Sequence, residues 1–253
     1  MRQQVRIILF LVAATLFGAV FVAAMAGLPT FGDYRGPYGD LVMQTVLKLR
    51  QAQQGVAAVT FDYRGFDTVC EESILFAAVA GAMLLMRPQE SEQLSDASDQ
   101  ASDRSLPAPV SAVIGCGVVM FPFTLLLGIY VVLHGHLTPG GGFQGGVLLA
   151  SAFYFVYLSG EYADLLEYVA GHLVTLFKVA GAAAFALMAA IPTLKGHPYM
   201  LNVMPLGKAG ELLSAGFLPL YNCSVGIEVA AGFLLLLSSF LRQVLAIRKR
   251  RPS

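Results

Sequence analysis

Three carboxylates and one ammonium stand in stretches of this chain that are otherwise too apolar to hold them. Glu71 and Glu72 follow Asp67 at the head of an apolar run, Lys178 lies six residues after His172 inside another, and Glu228 enters a third behind Asn222 and Ser224. On insertion scales a charge at the centre of a bilayer costs about 2.5 kcal/mol or more. A carboxylate so placed must pair, stay protonated, or carry protons or cations. Lys178 either faces a partner or a water-filled cavity, or snorkels to the nearer surface. Thr68 and Glu71 also fit a T-x-x-E capping box that would satisfy open backbone N–H groups at a helix start. That box leaves Glu72 without a role. Asp62, Arg64 and Asp67 form an interfacial ion-pair cluster or line an ion entrance, and His134 and His136 are expected at the surface, where they hold a turn or titrate near neutral pH.

The block from Pro139 to Gly146, PGGGFQGG, stands between two apolar runs. Gly141 and Gly145, like Gly142 and Gly146, repeat at four residues. On a helix this spacing leaves a flat face that a neighbouring backbone can approach closely, so the block reads as a helix-packing surface.

Composition sets the elements that must position these groups. Hydrophobic residues make up 57% and charged residues 13%, with a mean hydropathy of +0.69, far from the roughly 25% charge of soluble domains. The chain is therefore an integral membrane protein. Apolar runs at Val5–Gly27, Thr68–Met86, Val110–Leu133, Phe143–Ser159, Val169–Ile191 and Cys223–Leu241 each approach the ~20 residues of a bilayer-crossing helix. Phe143–Ser159 is the shortest and is expected to extend back into the glycines. Arg2, Arg6 and Ala24-Met25-Ala26 also fit a signal peptide, but the run exceeds the 7–15 residues of such a segment, so the first span is read as retained. Six spans put both ends on one side, with Arg2, Arg6, Arg87, Arg104, Arg242, Arg248, Lys249, Arg250 and Arg251. By the positive-inside rule that side is the cytoplasm, and the expected location is the inner (cytoplasmic) membrane.

Tyr38–Gln53 places Leu41, Val42, Thr45, Val46 and Leu49 on one helical face, with Lys48 and Arg50 off it, the pattern of an amphipathic interfacial helix. The stretch Arg87–Pro109 is rich in Ser, Asp, Gln, Glu and Pro and reads as a flexible acidic linker. It divides a two-helix module, residues 1–86, from a four-helix domain, residues 110–253. Glu161, Asp164 and Glu167 form a short acidic loop, expected to be solvated. Cys70, Cys116 and Cys223 have no paired spacing. No metal-ligand spacing, nucleophile motif, phosphate loop, dinucleotide fingerprint or nucleic-acid motif occurs, so neither cofactor nor metal is expected and no nucleic-acid partner.

Phe61-Asp62-Tyr63-Arg64-Gly65-Phe66-Asp67-Thr68 followed by Glu71 resembles the helix start near the C-terminal end of the large A component of Mrp-type multisubunit cation/proton antiporters, a module that membrane-bound hydrogenases carry as a separate small subunit. Gly135-His136 with Pro139–Gly146 is similar to the Mrp B component, the MnhB family; the GGGFQGG version and Tyr221–Val229 lean toward the hydrogenase-associated branch. The resemblance implies an all-helical, polytopic, non-redox subunit with six spans arranged 2+4, packed among other membrane subunits of an antiporter or hydrogenase complex that moves Na+ or H+. A structural scaffold that carries no ions is the other reading. Cys70 stands where the family pattern expects Gly, and Glu72 where it expects an apolar residue.

Overall fold

The computed structural model describes residues 3–28, 32, 36–86, 111–160, 165, 169 and 172–249, and no strand occurs among them. The linker Arg87–Pro109, the acidic loop residues Glu161, Asp164 and Glu167, and Arg2, Arg250 and Arg251 lie outside the described residues. The helices are α1 (Gln3–Ala26), α2 (Pro37–Thr45), the short α3 (Gly55–Ala58), α4 (Gly65–Leu85), α5 (Ser111–Leu133), α6 (Gly142–Ser159), α7 (His172–Leu194) and α8 (Leu218–Lys249). Among the described residues, six helices are long and apolar enough to cross a membrane, as the hydropathy pattern predicts. The chain forms two compact units that divide between Leu41 and Val42. In the first, α1 exposes apolar side chains all round, the pattern of a membrane span.

In the second unit, α8 is the central helix: 56% of its apolar window is buried, against 28% or less for every other span. It packs on α6 and α7, α5 packs on α6, and α4 lies across α7 and α8. Small residues set these distances. A Cβ on Gly146 of α6 would stand 2.8 Å from Gly226 O and from Val229 Cβ of α8. One on Gly181 of α7 would stand 2.7 Å from Ser224 O and 2.9 Å from Glu228 Cβ. Lipid tails are as apolar as Leu, so burial alone does not hold such helices together; backbone approach and dispersion contacts do.

The glycine block divides in two. Gly140 and Gly141 precede α6 at φ 141° and 147°, conformations that L side chains rarely adopt. Gly142 and Gly146 face α8, while Gly145 faces Val132 and Gly128 of α5. Gly141 is therefore a turn residue, and the expected Gly141/Gly145 helix face does not form. The expected backward extension of α6 amounts to one residue, Gly142.

Two further expectations are corrected. α4 starts at Gly65, not Thr68, because the chain before it is already helical through α3 and a wide π-type turn over Val59–Tyr63. Thr68 thus sits inside the helix, where its hydroxyl donates to Thr60 O at 2.6 Å, and the Thr68/Glu71 capping box is absent. The helix expected over Tyr38–Gln53 ends in a π-type turn at Val46–Arg50, stopped by Gln51 in the left-handed region at φ 53°. Val42 and Val46 are buried, while Leu41 and Leu49 are exposed.

Gly146→Val should lower the thermal stability of the detergent-solubilised protein by about 1–3 kcal/mol, the usual range for overpacking. Gly115→Ala, in α5 with nothing within 4 Å, is the control and should leave the melting temperature near wild type. An unchanged melting temperature for Gly146→Val would show that the α6–α8 approach is not the close one.

Candidate functional site: a membrane-buried carboxylate cluster under a cavity

The site is held from above by a knot of loops. His136, fully buried, accepts at its carbonyl the N–H groups of Gln53 and Gln54, each at 3.1 Å, and its Nε2 lies 3.4 Å from Glu211 O. One residue thereby joins the segment after α2, the turn before α6 and the loop before α8. Asn222, also fully buried, accepts from Gly142 N at 2.8 Å and donates to Leu218 O at 3.0 Å. The first bond satisfies an otherwise open N–H at the start of α6. On the other flank Arg50 Nε meets Asp62 Oδ2 at 2.9 Å and its guanidinium lies over the Tyr63 ring, while Gln51 accepts from Ala209 N at 2.9 Å. Burial raises the Asp62 pKa above 3.8, with Arg50 and then Asn202 acting against the rise.

Beneath this knot opens a cavity of about 420 Å³. Thr60, Thr68, Glu71, Glu72, Gln144 and Asn222 supply its polar lining, Gly140–Gly142 one wall, and Phe61, Leu75, Phe143 and Val225 apolar surface. The volume is room for several water molecules at ~30 Å³ each.

Glu72 leads from the cavity into the bundle. Its side chain is buried, its Oε2 has no hydrogen-bond partner among the described residues, and it faces Glu228 of α8 closely enough for the two carboxyls to interact. Glu228 is fully buried, and neither of its oxygens has a donor among the described residues. Behind Glu228 stands Lys178 of α7, close enough for the two charges to act on each other. Its Nζ donates to Phe76 O at 3.2 Å and lies 4.1 Å from the centre of the Phe76 ring. At 1.5 Å per residue, Glu72 is ~10 Å below the start of α4 and Glu228 ~15 Å below the start of α8, so both lie within the hydrocarbon. Gly181, one turn along α7 from Lys178, lets α7 reach the α8 backbone at Glu228.

The three helices therefore bring Glu72, Glu228 and Lys178 together. The snorkelling alternative for Lys178 is corrected: the residue is 4% exposed and turned inward. Glu71 lines the cavity on its exposed rim. The expected Asp62/Arg64/Asp67 cluster resolves into two separate pairs, Arg50–Asp62 and Arg64–Asp67. His136 is buried, not at the surface as expected, because its carbonyl and ring serve segments on opposite sides; His134 stacks on Tyr130 at 4.1 Å. Sequence reasoning misses Arg50 as the partner of Asp62, the clamp at Asn222 and the spacer Gly181. Asn222 carries a signal, six residues before an intramembrane glutamate, and so does Gly181, three residues after an intramembrane lysine.

Residues 114–235 match the family model of a domain related to the MnhB subunit of Na+/H+ antiporters. An uncharacterized protein of Methanocaldococcus jannaschii is 31% identical over 193 residues, covering 70% of this chain and 72% of that protein. The chain belongs to the MnhB-related family. A probable K(+)/H(+) antiporter protein of Rhizobium meliloti, a combined A/B subunit, is 34% identical over 120 residues; the match spans only 12% of that relative and 42% of this chain. Among solved structures, a chain of an archaeal membrane-bound sulfane sulfur reductase, a respiratory membrane complex, has a similar fold at TM-score 0.71 and 24% identity, covering 94% of this chain and 98% of that one. A chain of the Mrp complex from Dietzia sp. DQ12-45-1b superposes at TM-score 0.73 and 17% identity, covering all of this chain and 27% of that one.

Burial holds the His136 pKa below its ordinary 6.5, against the opposing pull of the Glu211 carbonyl; the nearby His134 acts in the same direction as burial. The unfolded chain therefore takes up this proton first. Stability should fall as pH drops below 6.5 and level off once the folded pKa is passed. In detergent, the melting temperature of His136→Gln should show a shallower acid-side decline than wild type; parallel curves would remove His136 as the cause.

Proposed function

We propose that this protein is a non-redox membrane subunit of a multisubunit cation/proton-translocating complex, and that Glu72, Glu228 and Lys178 carry ions within it. The observation that carries this reading is the convergence of two donor-free carboxyls and an ammonium from three helices, under a cavity roomy and polar enough for water. Glu71 would form part of the cavity wall at which the ion enters, Glu72 and Glu228 would pass it inward, and Lys178 would set the field that it meets. Asp67 and Arg64, paired at the helix start, and His136 at the loop knot would shape the entrance.

Kinship with the MnhB-related domain supports an antiporter of the Mrp type, and the fold shared with a respiratory membrane complex supports a relative coupled to redox chemistry in other subunits. In either setting the partners are other membrane subunits, and the cargo is Na+ or H+. The excess of Arg and Lys on one side of the six spans supports cytoplasmic termini in an inner (cytoplasmic) membrane, which would turn the cavity outward. The combined A/B relative of Rhizobium meliloti fits a reading in which residues 1–86 and 110–253 are two modules joined by the acidic linker.

Glu72→Gln and Glu228→Gln keep size and hydrogen bonding but remove the titrating charge. Each should abolish most cation-driven proton movement in vesicles while the complex assembles normally. A structural scaffold predicts unchanged transport in both variants. Co-expressed fragments ending and beginning between Arg87 and Pro109 should restore activity; inactivity with both fragments present at normal levels would show that the linker is more than a tether.

A further inference from the structure

We infer that the outward face of α4 around Glu71 seats a transmembrane helix of another subunit, one that presents a cationic or hydrogen-bond-donating side chain to this carboxylate. The inference rests on the reading of the chain as one subunit of a complex and names the chemistry of one neighbour. α4 buries Thr68, Glu72 and Val79 on its inner side. Its opposite side exposes Asp67, Cys70, Glu71, Ile74, Ala77 and Ala78, and farther along carries the half-buried Gly81, next to which a Cβ would meet nothing within 4 Å.

Glu71 is what lipid cannot cover. It lies six residues into α4, ~9 Å below the helix start and so within the hydrocarbon. Among the described residues no hydrogen bond or ion pair reaches it. The neighbouring cations are engaged elsewhere: Arg64 holds Asp67, and Lys178 donates to Phe76 O beside Glu228. Its electrostatic neighbour is Glu72, a second carboxyl and not a cation. An unpaired carboxylate at this depth requires a donor.

The cavity points the same way. Its exposed lining residues, Val56, Glu71, Phe143 and Gln144, form a rim, and Glu72, itself 7% exposed with an unpartnered Oε2, is aimed into it. A membrane site whose wall includes an exposed, unpaired carboxylate is closed only when a further polar group completes it. The outward side of α5 makes the contrast. Val118, Val119, Phe123 and Leu126 are exposed there without any charge, a surface that lipid solvates well. On α4 the small residues Ala77, Ala78 and Gly81 would let the incoming helix approach closely below the charged contact.

The test uses the full chain in its native membrane. A photo-crosslinking amino acid at Ile74 or Ala78 should yield one defined protein adduct, whereas the same probe at Val119 or Leu126 should give lipid adducts. On blue-native gels Glu71→Leu should release this subunit from the complex, and Glu71→Gln, which still accepts a hydrogen bond, should retain it. Only lipid adducts at positions 74 and 78, or full assembly of Glu71→Leu, would overturn the inference. That failure is distinct from failure of the function: loss of transport in assembled Glu72→Gln and Glu228→Gln would leave the ion-carrying role standing.

Discussion

The constraint on which this structure depends is the approach of α8 to its neighbours at backbone distance on two sides. Gly142 and Gly146 of α6 meet Asn222, Val225, Gly226 and Val229, and Gly181 of α7 meets Ser224 and Glu228. No side chain fits in these contacts. In lipid this matters more than in water, since apolar surface gains nothing by leaving one hydrocarbon for another and packing must supply the attraction. It also fixes what α8 presents. A helix gripped at Gly226 and Glu228 cannot rotate to turn its carboxylate toward lipid, so Glu228 is held fully inside the bundle.

From that constraint the site follows in order. Because α6 lies against α8, its first free N–H falls beside Asn222, which takes it and fixes the Gly140–Gly142 wall of the cavity. Because α7 reaches the same stretch of α8, Lys178 arrives beside Glu228. α4 then closes the group, with Glu72 toward the carboxyl and Phe76 O toward the ammonium. The aromatic stack of Phe61, Phe185 and Tyr221, with Phe61 and Tyr221 rings 5.6 Å apart, ties the segment before α4 to α7 and α8. The loop knot at His136 and Asp62 carries the same tie outward. The polar groups are not incidental to the packing; they occupy the places where the packing leaves backbone and carboxyl groups in need of partners.

Much of this is legible in the sequence, for reasons that differ from residue to residue. The spans are, because hydropathy over ~20 residues depends on no neighbour. Glu228 and Glu72 stand out because a charge in an apolar run is costly wherever the run packs. What escapes is whatever depends on the partner across space. Proximity along the chain points Asp62 to Arg64, two residues away, when its partner is Arg50, twelve residues back across a left-handed turn. Thr68 matches a capping box, but the preceding segment is itself helical, so the N–H groups the box would serve are already occupied. Lys178 is equally consistent with snorkelling and burial until Gly181 sets the distance to α8. His136 has surface neighbours in sequence and a buried position in space, because loops from both sides close over it.

The arrangement also bears on whether the charged cluster is there for architecture. A bundle already gripped by glycine contacts has no packing need for two glutamates and a lysine; apolar side chains of similar volume would fill the same space without desolvating any charge, and such exchanges in buried ion pairs are often neutral or stabilising by about 1–4 kcal/mol. Specificity of fold is no stronger a reason, since the Gly142–Asn222 bond, the Gly146 contact and the aromatic stack already fix register between α6, α7 and α8. On the proposed reading, what apolar substitutes could not supply is a group that exchanges a proton or cation beside the cavity. Under the proposed function, the cost of keeping Glu72, Glu228 and Lys178 inside the bundle is a cost of function, set on a scaffold whose close contacts are made by other residues.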